Sequence, residues 1–286
     1  MSRAWPTRIA TMDDLKAVTD LCIATMGPDD YVISMLEDLI KNARTVLAED
    51  GGKVIGTTSY RVQKDGSAWL SSARTHPDYR RQGVAASIMH RCEDIAIEDG
   101  VEQLRLWTES DNEEGKRAYL GLGFTEVGRF TRMSAPPADG VVEELRLLSS
   151  NEALWRKIED SEMMGLSKGY INHGFGFLRL SPSLLKTFGD EGFLYGWGPN
   201  VGLMSYYMFA SQMTLEVQVL LDDPRKAIAD LPAIAMESGL ERVHIFIPSE
   251  AGLIAAARSS GFDLIEWGRE AILCERDVKA RPSGSI

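Results

Sequence analysis

Residues Thr75-His76-Pro77-Asp78-Tyr79-Arg80-Arg81-Gln82-Gly83-Val84-Ala85-Ala86 are the types that hold phosphate. Small residues at Gly83, Ala85 and Ala86 let backbone approach a ligand closely. The first-turn N–H groups of a helix starting there lack intrahelical acceptors and carry the positive end of the helix dipole. Such an arrangement binds anions. Arg80 and Arg81 add fork-shaped donors for the same anion. An ordinary strand–turn–helix corner with a solvated basic turn explains these twelve residues equally well.

A second set of candidates follows. Val101 to Trp107 reads as a strand, Glu109-Ser110-Asp111-Asn112 as a turn, and Glu113 to Leu122 as a helix ending at Gly123-Phe124. Asn112 suits a helix N-cap. Tyr119 offers a phenol that stays protonated at neutral pH. The order Arg80-x-x-Gly83-x-Ala85, Asn112, Tyr119, Leu122-Gly123-Phe124 resembles the GNAT superfamily of acetyl-CoA-dependent N-acetyltransferases, over about residues 6 to 132. Its pyrophosphate loop reads [Q/R]-x-x-G-x-[G/A].

The resemblance implies site roles for particular residues. The pyrophosphate loop maps onto Arg80, Arg81, Gln82, Gly83, Val84, Ala85 and Ala86. The pantetheine arm maps onto Ala73, Arg74 and Thr75 at the end of the preceding strand, admitted by a splay between strands Ala68–Thr75 and Val101–Trp107. Asn112 matches a position that hydrogen-bonds the arm, and Tyr119 matches the acid toward the CoA thiolate. The chain departs from the pattern at Trp107, where several relatives carry a glutamate base. Glu109, two residues on and on the same strand face, is the substitute candidate. The acceptor cleft falls to the first two helices, about 12 to 42, and the last strands, with Tyr31, Met35 and Trp69 as candidates that a packed core explains equally well.

Those residues need elements to position them. Alternating patterns give a strand at Arg8–Thr11, a helix from Met12-Asp13-Asp14 to about Met26, a second to about Asn42, and strands at Thr45–Ala48, Val54–Val62 and Ala68–Thr75. The phosphate corner then leads into a helix of about Ala85–Asp99. This is a mixed α/β layout around one sheet.

The whole chain has 286 residues, 44% hydrophobic and 26% charged, enough for two packed cores and a solvated surface. Its net charge of −11 speaks against nucleic acid as a main partner. It mildly suits a cationic amine, though solubility explains it as well. Basic character is local, at Arg74, Arg80, Arg81 and Arg91. No run is long enough to span a membrane, and the first residues lack an apolar signal core, so the expectation is a cytoplasmic protein with no membrane partner. Cys22, Cys92 and Cys274 are too scattered for a disulfide framework, and with His76, His90, His173 and His244 they form no metal spacing.

Beyond Ala135-Pro136-Pro137-Ala138-Asp139-Gly140, a linker candidate, the reading gives a helix at Asn151–Met163 and a section rich in glycine and aromatics. An internal repeat follows. Gly100 to Trp107 corresponds to Gly239 to Phe246, Gly123-Phe124 to Gly261-Phe262, and Gly128-Arg129 to Gly268-Arg269. Where the first copy has Arg80 to Ala85, the second has Asp222-Asp223-Pro224-Arg225-Lys226-Ala227, a carboxylate cap that repels pyrophosphate. Ala257 stands at the position of Tyr119. The expected fold is α/β (α+β): two GNAT-like domains, each a mixed central sheet flanked by helices. Residues 1–134 are read as catalytic and 135–286 as degenerate. The first reading is an acetyl-CoA-dependent, metal-free N-acetyltransferase acting on a small amine or amino acid. The alternatives are a protein or peptide N-acetyltransferase and a non-enzymatic acyl-CoA sensor. The expected state is a monomeric pseudo-dimer or a homodimer.

Overall fold

The computed structural model describes residues 4–174, 176–209, 212–221, 223–265 and 269–278. Contacts divide the chain into two units. One holds Met1–Leu106, Lys116–Thr125 and Glu275–Ile286; the other holds Trp107–Gly115 and Glu126–Cys274. A linear boundary after Ser134 does not coincide with this division. The strand Thr125–Ala135 runs through it without a break, because its ladder hydrogen bonds continue there. The irregular stretch that composition marks as a linker follows at 136–145.

The first unit runs β1 (Thr7–Ile9), α1 (Leu15–Met26), α2 (Leu36–Asn42), β2 (Arg44–Asp50), β3 (Lys53–Val62), β4 (Ala68–Thr75), α3 (Val84–Asp99), β5 (Gln103–Glu109) and α4 (Glu113–Gly121). Both β5 and α4 have part of their length in the second unit. Thr11 and Asp14 form a capping box that starts the first helical segment, and Gly27, at φ 96°, ends it. Val18, Leu21 and Cys22 on α1 and Leu36, Leu39 and Ile40 on α2 bury one stripe with Leu47 of β2 and Val54 of β3. The sheet order is β1-β2-β3-β4-β5, antiparallel except for β4 with β5. Buried Arg105 of β5 donates to Glu275 at 2.6 Å, to Ser67 and Gln103 at 2.9 Å, and to Asp65. Removing both of its carboxylate partners, Asp65 and Glu275, would strand a buried charge.

The second unit contains β6 (Thr125–Ala135), β7 (Arg146–Leu147), α5 (Glu152–Glu159), α6 (Glu162–Ser167), β8 (Tyr170–His173), β9 (Gly176–Arg179), α7 (Pro182–Asp190), β10 (Leu194–Trp197), β11 (Asn200–Phe209), β12 (Gln212–Leu221), α8 (Pro224–Glu237), β13 (Arg242–Pro248), α9 (Ala251–Ser259) and β14 (Asp263–Leu264). Strand β15 (Glu270–Asp277) is the last element among the described residues, belonging to this unit up to Cys274. The sheet order here is β6-β13-β12-β11-β10-β7. Ala227, Ile228, Leu231 and Ile234 of α8 pack with Leu253 and Ala257 of α9 onto Leu215, Val217, Val243 and Ile245. The expected single helix Asn151–Met163 is two helices. Ser161 leaves the helical region and caps α6 by accepting from the Met164 N–H, and a capping serine competes with helix continuation.

The repeat is structural. Gly100 and Gly239 both adopt left-handed backbone, at φ 69° and 67°, and each precedes a seven-residue strand, β5 and β13. The helices α4 and α9 are each nine residues long, followed by left-handed Gly123 and Gly261. Gly268 and Asp222 lie outside the described residues.

Candidate active site

Four features of the first unit build a corner at the end of β4. The first is the entry. Ser72, at φ 56°, sits in a bulge where Ser72 and Ala73 oppose Thr58 alone. The β4–β5 ladder holds only at Ala68–Leu104 and Trp69–Arg105, so the strands part beyond those pairs, as the resemblance implies. His76 N–H donates to the Ile55 carbonyl at 2.9 Å. By alternation, the Thr75 N–H and C=O face the opened edge.

The second feature is the turn. Arg81 has φ 60°, an uncommon conformation for a side-chain-bearing residue, and Gly83 has φ 85°. Gly83 occupies the N-cap of α3 and no side chain caps that end. The N-termini of α5, α6, α7, α8 and α9 are each capped by a side chain. The donors of Val84, Ala85 and Ala86 thus open a sixteen-residue helix at a glycine, which offers no competing acceptor.

Third, the turn is braced from outside. Trp5 donates from its indole Nε1 to the Gln82 carbonyl at 2.9 Å and from its backbone to Ser87 Oγ at 3.0 Å. Tyr79 meets Trp5 edge-on at 5.6 Å and donates to Asp50 at 3.1 Å. Gln82 Nε2 donates to the Asp78 carbonyl at 2.6 Å. Fourth, a Cβ on Gly56 of β3 would lie 2.5 Å from Val84 Cγ1 and 3.0 Å from Ile88 Cδ1, so only glycine lets the start of α3 come this close.

Other anticipated residues are placed as follows. Arg80, Arg81 and Gln82 are exposed on the turn, and Tyr119 is half-buried on α4, edge-on to Phe124 at 6.2 Å. Arg74 is corrected as a source of phosphate-binding charge. Its guanidinium is buried against Asp30, with bonds of 2.8 and 2.7 Å, leaving only its backbone at the strand end. Asn112 and Glu109 group with the second unit. Asn112 Oδ1 accepts from the Gly115 N–H at 2.9 Å, the cap that its residue type suggests. β5 extends to Glu109, which puts Glu109 and Trp107 on one strand face. Trp5, Gly56, Ser72 and the Asp30–Arg74 pair escape a reading of the sequence, since their roles depend on distant partners. Burial pushes the Cys22, Cys92 and Cys274 thiols up to about 11, 12 and 11, which makes them poor nucleophiles. Among the described residues no cluster of metal-ligating side chains occurs, and no helix is long and apolar enough to cross a membrane.

The matching corner of the second unit is closed. Asp223 caps α8 by accepting from the Arg225 N–H at 3.1 Å, and Pro224 occupies the first turn. Arg225 is paired with Glu162 at 3.0 and 3.1 Å. A groove of about 700 Å³ lies here, but Asp160, Glu162 and Asp223 line it beside Lys157 and Arg225, a poor lining for phosphate. β12 and β13 stay paired over four positions, Thr214 to Val217. The hairpin β8–β9 covers polar groups on β12: Gly174 N–H donates to Glu216 at 3.0 Å and Asn172 N–H to Gln218 at 3.1 Å. Burial raises the Glu216 carboxyl, while burial, with the Arg132 and Arg242 charges, lowers His244 to about 3. His244 is therefore neutral at physiological pH.

Residues 15–124 match the sequence model of the Acetyltransferase (GNAT) family. The catalytic subunit of the N-terminal acetyltransferase B complex of Arabidopsis thaliana is 26% identical over 122 residues, 41% of this chain and 66% of that protein's length. The crystal structure of a GCN5-related N-acetyltransferase from Sphaerobacter thermophilus superposes with a TM-score of 0.63 at 14% identity, over 100% of this chain and 99% of that one. A tandem GNAT protein from the clavulanic acid biosynthesis pathway gives 0.55 at 12% identity, over 97% and 99%. The solved structures bear on the fold, and the family match on the segment that carries the uncapped corner. Residues 15–124 are thus similar to the GNAT acetyltransferase family, and the whole chain shares its fold with solved GNAT structures.

Proposed function

We propose that this chain is an acetyl-CoA-dependent N-acetyltransferase acting on a primary amine of a small molecule or amino acid. Residues 1–134 are its catalytic part and 135–286 a degenerate copy. The observation that carries the reading is the uncapped start of α3 at left-handed Gly83, beside the opened edge of β4. Anionic phosphate suits that helix end, with Arg80 and Arg81 exposed on the same turn. The Thr75 N–H on the opened edge suits the thioester carbonyl, where charge develops during attack.

In the reaction the amine nitrogen forms a bond to the thioester carbon and the carbon–sulfur bond breaks. The amine proton passes to a base and the Tyr119 hydroxyl protonates the departing thiolate. Asn112 as an arm contact rests on the resemblance alone, and Glu109 as base on its place two residues beyond Trp107 on the same strand face. A protein N-terminus is the second acceptor reading, favoured by the likeness to the plant N-terminal acetyltransferase subunit.

Thiol release from acetyl-CoA, measured across panels of amines, amino acids and peptides, tests this function. The expected result is acceptor-dependent release with amines or amino acids. Release with peptides alone moves the assignment to the second reading. Tight CoA binding without release to any acceptor leaves an acyl-CoA sensor and overturns the enzyme.

A further inference from the structure

We infer that the Asp30–Arg74 ion pair is a positioning clamp, locking the segment between α1 and α2 to the strand end that presents the thioester. The inference rests on the cofactor placement proposed above. Asp30 belongs to the turn Gly27–Asp30 that follows α1. Its carboxylate is 1% exposed, and it caps the next turn by accepting from the Val32 N–H at 3.1 Å. Burial opposes ionisation of Asp30, but the bonds from Arg74 and Val32 outweigh it and hold the carboxyl below its usual range. Arg74 is 10% exposed and divides its donors in a particular way. Nε and Nη2 take the two Asp30 oxygens, at 2.8 and 2.7 Å, while Nη1 donates to the Ala73 carbonyl at 3.0 Å.

That third bond turns an ion pair into a clamp. The peptide plane is rigid, so fixing the Ala73 carbonyl fixes the plane that it shares with the Arg74 N–H. This plane lies between the bulge at Ser72 and the edge-facing Thr75 N–H. Tyr31, next to Asp30 and 54% exposed, has the Arg74 guanidinium 5.9 Å from its ring centroid. One planar group therefore sets the strand-end peptide, the Asp30 cap and the Tyr31 ring together. An ammonium cannot reproduce this, because it lacks the fork.

The test compares wild type with Arg74→Lys, with Asp30→Asn as a second variant. Three quantities are measured: CoA affinity, steady-state transfer, and hydrogen exchange of Tyr31–Met35 with and without CoA. CoA affinity is expected to stay within about threefold, since neither side chain is assigned to the cofactor. At saturating acceptor, kcat should fall about 10- to 100-fold with little change in the KM for acetyl-CoA, the range expected from a small misplacement of reacting groups. In wild type, CoA should slow exchange at Tyr31–Met35; in Arg74→Lys that protection should vanish while protection at Ala73–Thr75 persists.

Unchanged kcat with unchanged coupling of exchange overturns the clamp. So does a drop in CoA affinity that parallels the drop in kcat, which would make Arg74 a cofactor residue. If wild type transfers acetyl to no acceptor, the enzyme reading fails while the exchange comparison still decides the clamp. A wild-type chain that binds no CoA refutes the cofactor placement, and the clamp with it.

Discussion

The two copies of the strand–turn–helix corner differ most at one residue, the N-cap. In the first unit the cap is Gly83, left-handed and without a side chain; in the second it is Asp223, whose carboxylate accepts from the Arg225 N–H. The strand pairing differs as well. β4 parts from β5 after two paired positions, whereas β12 keeps pace with β13 for four. A helix end can spend its free donors on its own stability or leave them for a ligand. The second copy spends them, and the first keeps them available while bracing the turn through Trp5 and Tyr79. An anion site is thus recognisable by the stabilisation it forgoes.

The sharpest way to break this comparison is to import the second cap into the first corner. Gly83→Asp places a carboxylate where a pyrophosphate belongs, a like-charge term of about 4 kcal/mol at close range. CoA affinity, measured calorimetrically, should fall by on the order of 100- to 1,000-fold. Gly83→Asn, which tolerates left-handed backbone without the charge, should lose much less. Equal losses for the two variants would mean that conformation, rather than charge, distinguishes the corners. Next in size is Tyr119→Phe. The counterpart residue Ala257 is fully buried core, whereas Tyr119 is half-buried with a hydroxyl. Loss of the proposed acid should reduce turnover about 100-fold with CoA affinity unchanged. Turnover equal to wild type would remove Tyr119 from the chemistry.

Much of this contrast was legible in the sequence because its signals are local. β4 spans the stretch read as Ala68–Thr75, and α3 begins one residue before the expected Ala85. Left-handed glycines and an Asp-Pro cap act within one turn of their own position. What escaped is non-local. Trp5 reaches Gln82 and Ser87 across 77 and 82 positions, and Arg74 reaches Asp30 across 44. Arg74 looked like a free cation because nothing near it in sequence neutralises it. The bulge at Ser72 carried no glycine to announce its positive φ. Gly56 sits inside a strand pattern, where a close approach can be suspected but its partner on α3 cannot be named.

Gly56 yields a smaller prediction about how the open corner is held. Gly56→Ala puts a methyl 2.5 Å from Val84 Cγ1 and 3.3 Å from the Arg74 carbonyl, so the first turn of α3 must retreat. Overpacking of this kind costs about 1–3 kcal/mol. Urea unfolding should show that loss, with weaker CoA binding beside it. A destabilised protein with full CoA affinity would mean that the start of α3 does not define the phosphate site.

The smallest effect belongs to the second corner. Asp223→Ala removes the acceptor for the Arg225 N–H and should lower stability by about 1 kcal/mol, the usual worth of a helix cap. CoA binding by the whole chain should not change in either direction. Uncapping alone does not rebuild a site, because Pro224 supplies no N–H in the first turn and Arg225 stays paired with Glu162. β12 and β13 also keep one pair, Val217–Ile245, beyond the point equivalent to where β4 and β5 part. A second equivalent of CoA bound by Asp223→Ala would show that the cap is the only barrier between the two corners, and that the wider pairing of β12 with β13 is incidental to the loss.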